Sequence, residues 1–236
     1  MVVVAACAVL LGRRAGQRRG LLLSVERAAT EVGQPDSTPA SGLVFILSGP
    51  SGVGKSTLIE GLQQDGFPIS HCVTATTRPI RSGEEHGVHY YFLSDAEYDD
   101  LLARDQFLEH AVVHNVYRYG IPLFSFREAL RRGQDVIIAP DVQGAGTLRW
   151  KLPNAITIFL RPPSLGELVP RLAARGTETP EERDVRLATA EREMQRVSEY
   201  DYVIVNHRDR LHQALDDLKA IIRTERLRVC RRTVTV

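Results

Sequence analysis

The chain is 236 residues long, 43% hydrophobic and 25% charged, with a formal net charge of +1. That balance fits one large globular domain, or a core with insertions, and excludes a strongly basic protein held to nucleic acid by phosphate attraction. Three cysteines, Cys7, Cys72 and Cys230, lie far apart without metal-ligand spacing, which suggests no disulfide framework or zinc site and suits a reducing compartment.

In chain order, residues 2–11 form an apolar run too short to span a bilayer. Arg13, Arg14, Arg18 and Arg19 follow that run, the reverse of a secretory signal, whose positive charge comes first. Residues 33–42 (GQPDSTPASG) read as a linker. Residues 1–42 are therefore expected to be a disordered extension and linker, of which residues 1–40 are dispensable for activity, with a cytoplasmic protein behind them. An arginine-rich organelle transit peptide is the alternative.

Residues 43–47 (LVFIL) make a continuous apolar run, as a strand covered on both faces requires. A glycine-rich turn follows, then a helix from Lys55. A helical segment at 126–132 closes at Gly133 and leads into an apolar run at 136–138. Further runs lie at 155–160 and 202–205. Leu211, Leu215, Leu218 and Ile222 place one stripe on a final helix. Alternation of strands and helices predicts a parallel sheet with crossover helices. Residues 76–124 break the rhythm. They are rich in tyrosine, histidine and glycine, with alternation at 88–93, and read as an inserted lobe in which Phe92 is core. Residues 175–196 are dense in charge and read as a helical flap apart from the core. The predicted domain is 43–228, with its core at 43–75 and 125–229 and a tail at 229–236.

Residues 49–56 (GPSGVGKS) fit G-x-x-x-x-G-K-[ST]. The glycines let backbone N–H groups turn toward an anion, and the following helix aims its positive end at it. Lys55 adds a charge for the β- and γ-phosphates, and the Ser56 hydroxyl can ligate magnesium. An apolar strand before the loop and a helix after it are the context that a nucleoside triphosphate site needs.

The acceptor side carries a resemblance. Thr74, Arg78, Arg81, Gly83, Glu84, Gly87, Tyr90 and Phe92 stand in a segment that resembles the monophosphate-binding segment of guanylate kinases. The likeness continues through Glu109, Tyr119, Gly120, Asp141, Gly144, Arg171, Arg175, Arg186 and Asn206. Spacings are kept apart from one extra residue between Glu109 and Tyr119. The resemblance implies a three-layer α/β P-loop core with an inserted monophosphate lobe (76–124) and a helical lid (about 175–196). It implies transfer of the γ-phosphate of ATP to GMP, with dGMP as a second acceptor and magnesium bridging the ATP phosphates.

The site it implies has two sides. ATP would meet Gly49, Pro50, Ser51, Gly52, Val53, Gly54, Lys55, Ser56 and Thr57, with Asn206 and His207 on the adenine side. GMP would meet Thr74, Arg78, Arg81, Tyr90, Glu109, Tyr119 and Asp141. The chemistry of these types agrees: arginines fork onto phosphate, tyrosines add hydroxyls, and carboxylates accept from the N1–H and N2 amino donors of guanine. Lys55, Arg81, Arg175 and Arg186 would act on the transferred phosphate, with Arg171 a further candidate. The bland reading of the lid arginines is a solvated helix paired with Glu178, Glu181 and Glu182.

One departure is Ala139, where many members of the family carry an acid. Expected partners are ATP and GMP or dGMP, with no nucleic acid or membrane, in a monomer or homodimer. The alternatives are a non-catalytic guanylate-kinase-like interaction module, which generally loses the phosphate loop, and a nucleotide kinase of different base choice.

Overall fold

The computed structural model describes residues 42–113, 116–173, 180–230 and 232–234. The expectations for residues 1–41 lie outside them. Strand β1 (Val44–Ser48) is buried at every position. Phe45 and Leu47 join a cluster with Leu58, Leu62 and Leu218. Val44 and Ile46 point the other way, to Phe126, Val136 and Leu148. A strand sealed on both faces has to be apolar throughout, so this element is legible as an unbroken run.

Four parallel neighbours complete the main sheet: β2 (Ile69–His71), β7 (Asp135–Ile138), β8 (Ile156–Arg161) and β9 (Tyr202–Val205), in the order β2-β7-β1-β8-β9. Helices α1 (Lys55–Gln64) and α7 (Leu211–Arg226) cover one face through Leu58, Leu62, Ala214, Leu218 and Ile222. Helices α3 (Leu123–Arg131) and α4 (Val142–Lys151) cover the other through Phe126, Ala129, Ala145 and Leu148. This is a three-layer α/β fold, as expected. The last helix runs a turn beyond its apolar stripe because polar contacts carry it on. Glu225 Oε1 accepts from the Tyr202 hydroxyl at 2.5 Å. Arg226 Nε donates to Asp135 Oδ2 at 2.6 Å, while Asp135 Oδ1 accepts from the Leu43 N–H at 2.8 Å.

A second sheet has the order β4 (Tyr91–Phe92), β3 (Ala75–Thr76), β6 (Tyr117–Pro122), β5 (Phe107–Val113). It packs its own small core of Ala75, Tyr98 and Phe107. Tyr98 comes from α2 (Asp95–Ala103), which starts at a reciprocal Ser94–Glu97 cap. Two expectations are corrected here. The alternation at 88–93 yields only a two-residue strand, because Gly87 has φ 81° and the Val88 and His89 N–H groups both turn back to Glu85 O. Phe92 is half-buried rather than core, since β4 is an edge strand and the ring lies against the Arg78 guanidinium, 5.6 Å away.

Helix α5 (Leu168–Ala173) leads toward α6 (Pro180–Met194). The expectation of a charged flap apart from the core is corrected at one stripe of α6: Ala190 is buried in the main cluster and Leu187 packs against it. Among the described residues, no helix is long and apolar enough to cross a membrane.

Candidate active site

The phosphate loop joins the C-terminal end of β1 to α1, at the centre of the parallel sheet. Gly49 has φ 147°, and a Cβ there would stand 2.0 Å from Leu160 O, so only glycine fits between the loop and β8. Gly54, with φ 103°, precedes α1 without any side-chain cap. The start of that helix is where an anion can take the place of a side-chain cap. Lys55 Nζ donates to Gly49 O at 2.5 Å, which folds the lysine back over its own loop.

Asn206 follows β9 and is buried. Its Nδ2 donates to Val53 O at 2.8 Å, and a Cβ on Gly54 would come within 2.6 Å of that nitrogen. Asn206 thus braces the loop from the side of the sheet. His207 is exposed and does not line the cleft.

Across the cleft, Arg78 is 6% exposed. Its NH2 donates to both Glu84 oxygens, at 2.7 and 3.0 Å, and its NH1 to Pro79 O at 2.7 Å. Its guanidinium carbon stands 5.5 Å from the Tyr90 ring centroid. Glu84 also accepts from the Arg81 N–H at 2.8 Å. Burial opposes the charge on Glu84, but the Arg78 hydrogen bonds and the Arg81 N–H outweigh it and hold the carboxyl below its ordinary range. Sequence reasoning gave Glu84 no role. The available signal was one carboxylate within six residues of two arginines assigned to phosphate. Tyr90 and Tyr119 meet edge to face at 6.0 Å beside this group.

Glu109 depends on an irregularity in β5. The register against β6 shifts between Phe107 and Glu109, so three successive residues are buried in different places. Phe107 enters the lobe core, Leu108 enters the main core, and Glu109 turns into the cleft. Glu109 is 4% exposed and its Oε1 has no hydrogen-bond partner. Burial and the Asp141 carboxylate push its carboxyl up to about 8, against the pull of Lys151. Asp141 begins α4, where its Oδ1 accepts from the Gly144 N–H at 2.7 Å.

Four further groups line the cleft. Arg186, Thr189 and Glu193 project into it from α6. Burial, with Asp141, pushes the Glu193 carboxyl up to about 7 although Lys55 pulls it down. His71, at the end of β2, is held down to about 4 by burial and the nearby His89, so its imidazole stays neutral. Neither Glu193 nor His71 was singled out in the sequence, since neither stands in a motif.

One cleft of about 550 Å³ gathers the loop from Gly49 to Thr57 with Thr74, Arg78, Arg81, Tyr90, Glu109, Tyr119, Asp141 and Arg186. Ala139 and Pro140 line it as well. Arg175 and the side chain of Arg171 lie outside the described residues. An anion-binding loop on one wall faces, on the other, a buried arginine beneath two tyrosines and a pair of carboxylates. Two phosphate-bearing molecules, one of them carrying hydrogen-bond donors on its far edge, match that arrangement.

A family model described as guanylate kinase matches residues 41–225. The guanylate kinase of Desulfitobacterium hafniense (strain Y51) is 44% identical over 191 residues, which is 81% of this chain and 94% of that protein. That of Escherichia coli (strain K12) is 45% identical over 194 residues, 81% of this chain and 92% of its own. The crystal structure of guanylate kinase from Anaplasma phagocytophilum superposes with a TM-score of 0.65 at 31% identity, covering 82% of this chain and 90% of that one.

Proposed function

The chain belongs to the guanylate kinase family, and we propose that its cleft joins the two substrates of that activity: it moves the γ-phosphate of ATP to GMP, giving ADP and GDP. The observation that carries the acceptor assignment is Glu109, a buried carboxyl group with an unpartnered oxygen beside a second acidic side chain, Asp141. A buried acceptor without a donor is costly. Guanine brings two donors on one edge, N1–H and the N2 amino group, and adenine brings neither.

In this reading Lys55 exchanges Gly49 O for the β- and γ-phosphate oxygens, and the N–H groups at the start of α1 complete the cradle. Asn206 holds the loop in shape. Arg78, clamped by Glu84, meets the phosphate of GMP together with Tyr90 and Tyr119, and Thr74 reaches the base. Arg81, Arg175 and Arg186 neutralise charge on the transferred group, which needs alignment and counter-charge rather than a covalent intermediate.

Among the described residues no cluster of three or more His, Cys, Asp or Glu could hold a metal alone. Ser56, exposed in the cleft at the head of α1, suits magnesium that arrives on the ATP phosphates. Bound there, magnesium would neutralise the β- and γ-phosphate oxygens. Among the described residues Cys72 and Cys230 are free thiols, the second of them exposed, which suits a reducing setting such as the cytoplasm.

The test is an ADP-release assay with GMP, AMP, UMP and CMP. The specificity constant for GMP should exceed that for AMP by at least about 10³-fold, and Glu109→Gln should narrow the gap by losing GMP activity. Equal use of GMP and AMP would remove the acceptor assignment. No ADP release with any of the four would favour the non-catalytic module.

A further inference from the structure

Helix α6 turns Arg186, Thr189 and Glu193 into the cleft at positions i, i+3 and i+7, one face of the helix. Arginine and threonine suit phosphate oxygens, but a carboxylate does not. If two phosphate-bearing substrates meet here, as the ATP:GMP reading holds, a bare carboxylate beside them repels both. Glu193 nonetheless lies where it feels the attraction of Lys55 and the repulsion of Asp141. Among the described residues no hydrogen bond or ion pair holds its carboxylate. The two arginines nearest it in sequence also favour its charge, but their hydrogen bonds go elsewhere. Arg192 bonds back to Ala188 O and Thr189 Oγ1, and Arg196 bonds to Glu199 and Val142 O.

A carboxylate in this place needs a cation, or an array of donors, beside the phosphate loop. Hydrated magnesium on ATP is both, because its bound waters present O–H donors and its charge offsets the phosphates. We propose that Glu193 accepts hydrogen bonds from the water shell of the metal that accompanies ATP, so that α6 responds to metal-loaded nucleotide rather than to nucleotide alone. The inference rests on the ATP:GMP reading. Arg186 rides on the same helix, so the contact that seats Glu193 also sets Arg186 over the phosphates, which makes Glu193 a positioning residue. In this arrangement Ser56 would hold the metal directly and Glu193 would hold it through its bound waters.

The experiment uses the full chain, a non-hydrolysable ATP analogue with an imido β,γ-bridge, GMP, and Mn²⁺ as the metal probe, with free Mn²⁺ read by electron paramagnetic resonance. In the ternary complex Glu193→Gln should bind Mn²⁺ about 10-fold more weakly than the wild type, the usual effect of losing a group that hydrogen-bonds a metal's ligands. Glu193→Asp should recover part of that affinity. With metal chelated, the analogue should bind the glutamine variant as tightly as the wild type or more tightly. Equal Mn²⁺ affinity in wild type and Glu193→Gln overturns the proposal. So does weaker metal-free nucleotide binding by both variants, which would make Glu193 a structural group. Failure of the wild type to bind the analogue or GMP would instead overturn the ATP:GMP reading beneath it.

Discussion

Glu109 and Gly144 are fitted to each other: a Cβ on Gly144 would stand 2.7 Å from Glu109 Oε1 and 2.8 Å from its carboxyl carbon. The N–H of the same glycine donates to Asp141 Oδ1 at 2.7 Å. One bare residue therefore makes room for the first carboxylate and orients the second. The carboxylate pair is a property of three residues on two elements, β5 and α4.

Replacing Gly144 with alanine tests this fit. The added methyl must displace the Glu109 carboxyl, and a displacement of that order can cost about 10²-fold in a positioned reaction. The expected outcome is a rise of about 10-fold or more in the GMP KM, an unchanged ATP KM, and a folded protein by circular dichroism. An unchanged GMP KM would separate Gly144 from the acceptor site.

The pH dependence of GMP binding follows from the same carboxyl. With its pKa at about 8, Glu109 is protonated in the empty cleft at neutral pH, whereas the guanine donors need the carboxylate. Binding then requires loss of a proton, which costs about 1.36 kcal/mol per pH unit below that pKa. The GMP Kd should fall roughly tenfold per unit as pH rises toward 8 and level off above it. Calorimetry in buffers of different ionisation enthalpy should show one proton released per GMP at pH 6.5. Glu109→Gln should bind GMP with neither the slope nor the proton.

Glu84 is expected to matter through Arg78. Glu84→Gln keeps the shape of the side chain but removes the charge that clamps the guanidinium and anchors the Arg81 N–H. A charge-assisted hydrogen bond is worth about 1.5–3 kcal/mol, so the GMP KM should rise about 10-fold or more. The effect on kcat should be smaller, because the loss falls on holding the substrate. Steady-state kinetics with GMP varied at saturating ATP measures the split.

The brace behind the loop gives a stability prediction. Asn206→Ala removes the bond to Val53 O, and with it the support that the end of β9 gives the loop. The cost should be about 1–3 kcal/mol, read as a lower midpoint in urea, together with weaker ATP binding and little change in GMP binding. Asn206→Asp should be worse than alanine, because it turns a carboxylate oxygen toward the Val53 carbonyl. A wild-type midpoint in both variants would refute the brace.

By itself the sequence determined what is local. The phosphate loop was legible because its requirements fall within eight residues: glycines at special backbone angles, a lysine, a hydroxyl, and a helix start after a strand. β1, β7, β8 and the stripe of α7 were legible because burial on two faces prints an unbroken apolar run and burial along one face prints a stripe. The acceptor residues were named by resemblance to guanylate kinases, and spacing alone would have left Glu109 a solvated charge. The tertiary structure decided the rest. Asn206 and Val53 are 153 positions apart, and their contact exists because β9 and β1 are both laid against β8. Glu193 reads in sequence like any glutamate on a charged helix, and only the placement of α6 over the loop sets it near Lys55. The edge strand β4 and the irregularity in β5 were not legible either. What a short strand pairs with, and where a shifted register aims its side chains, depends on the neighbouring strand, and no periodicity in the segment itself records it.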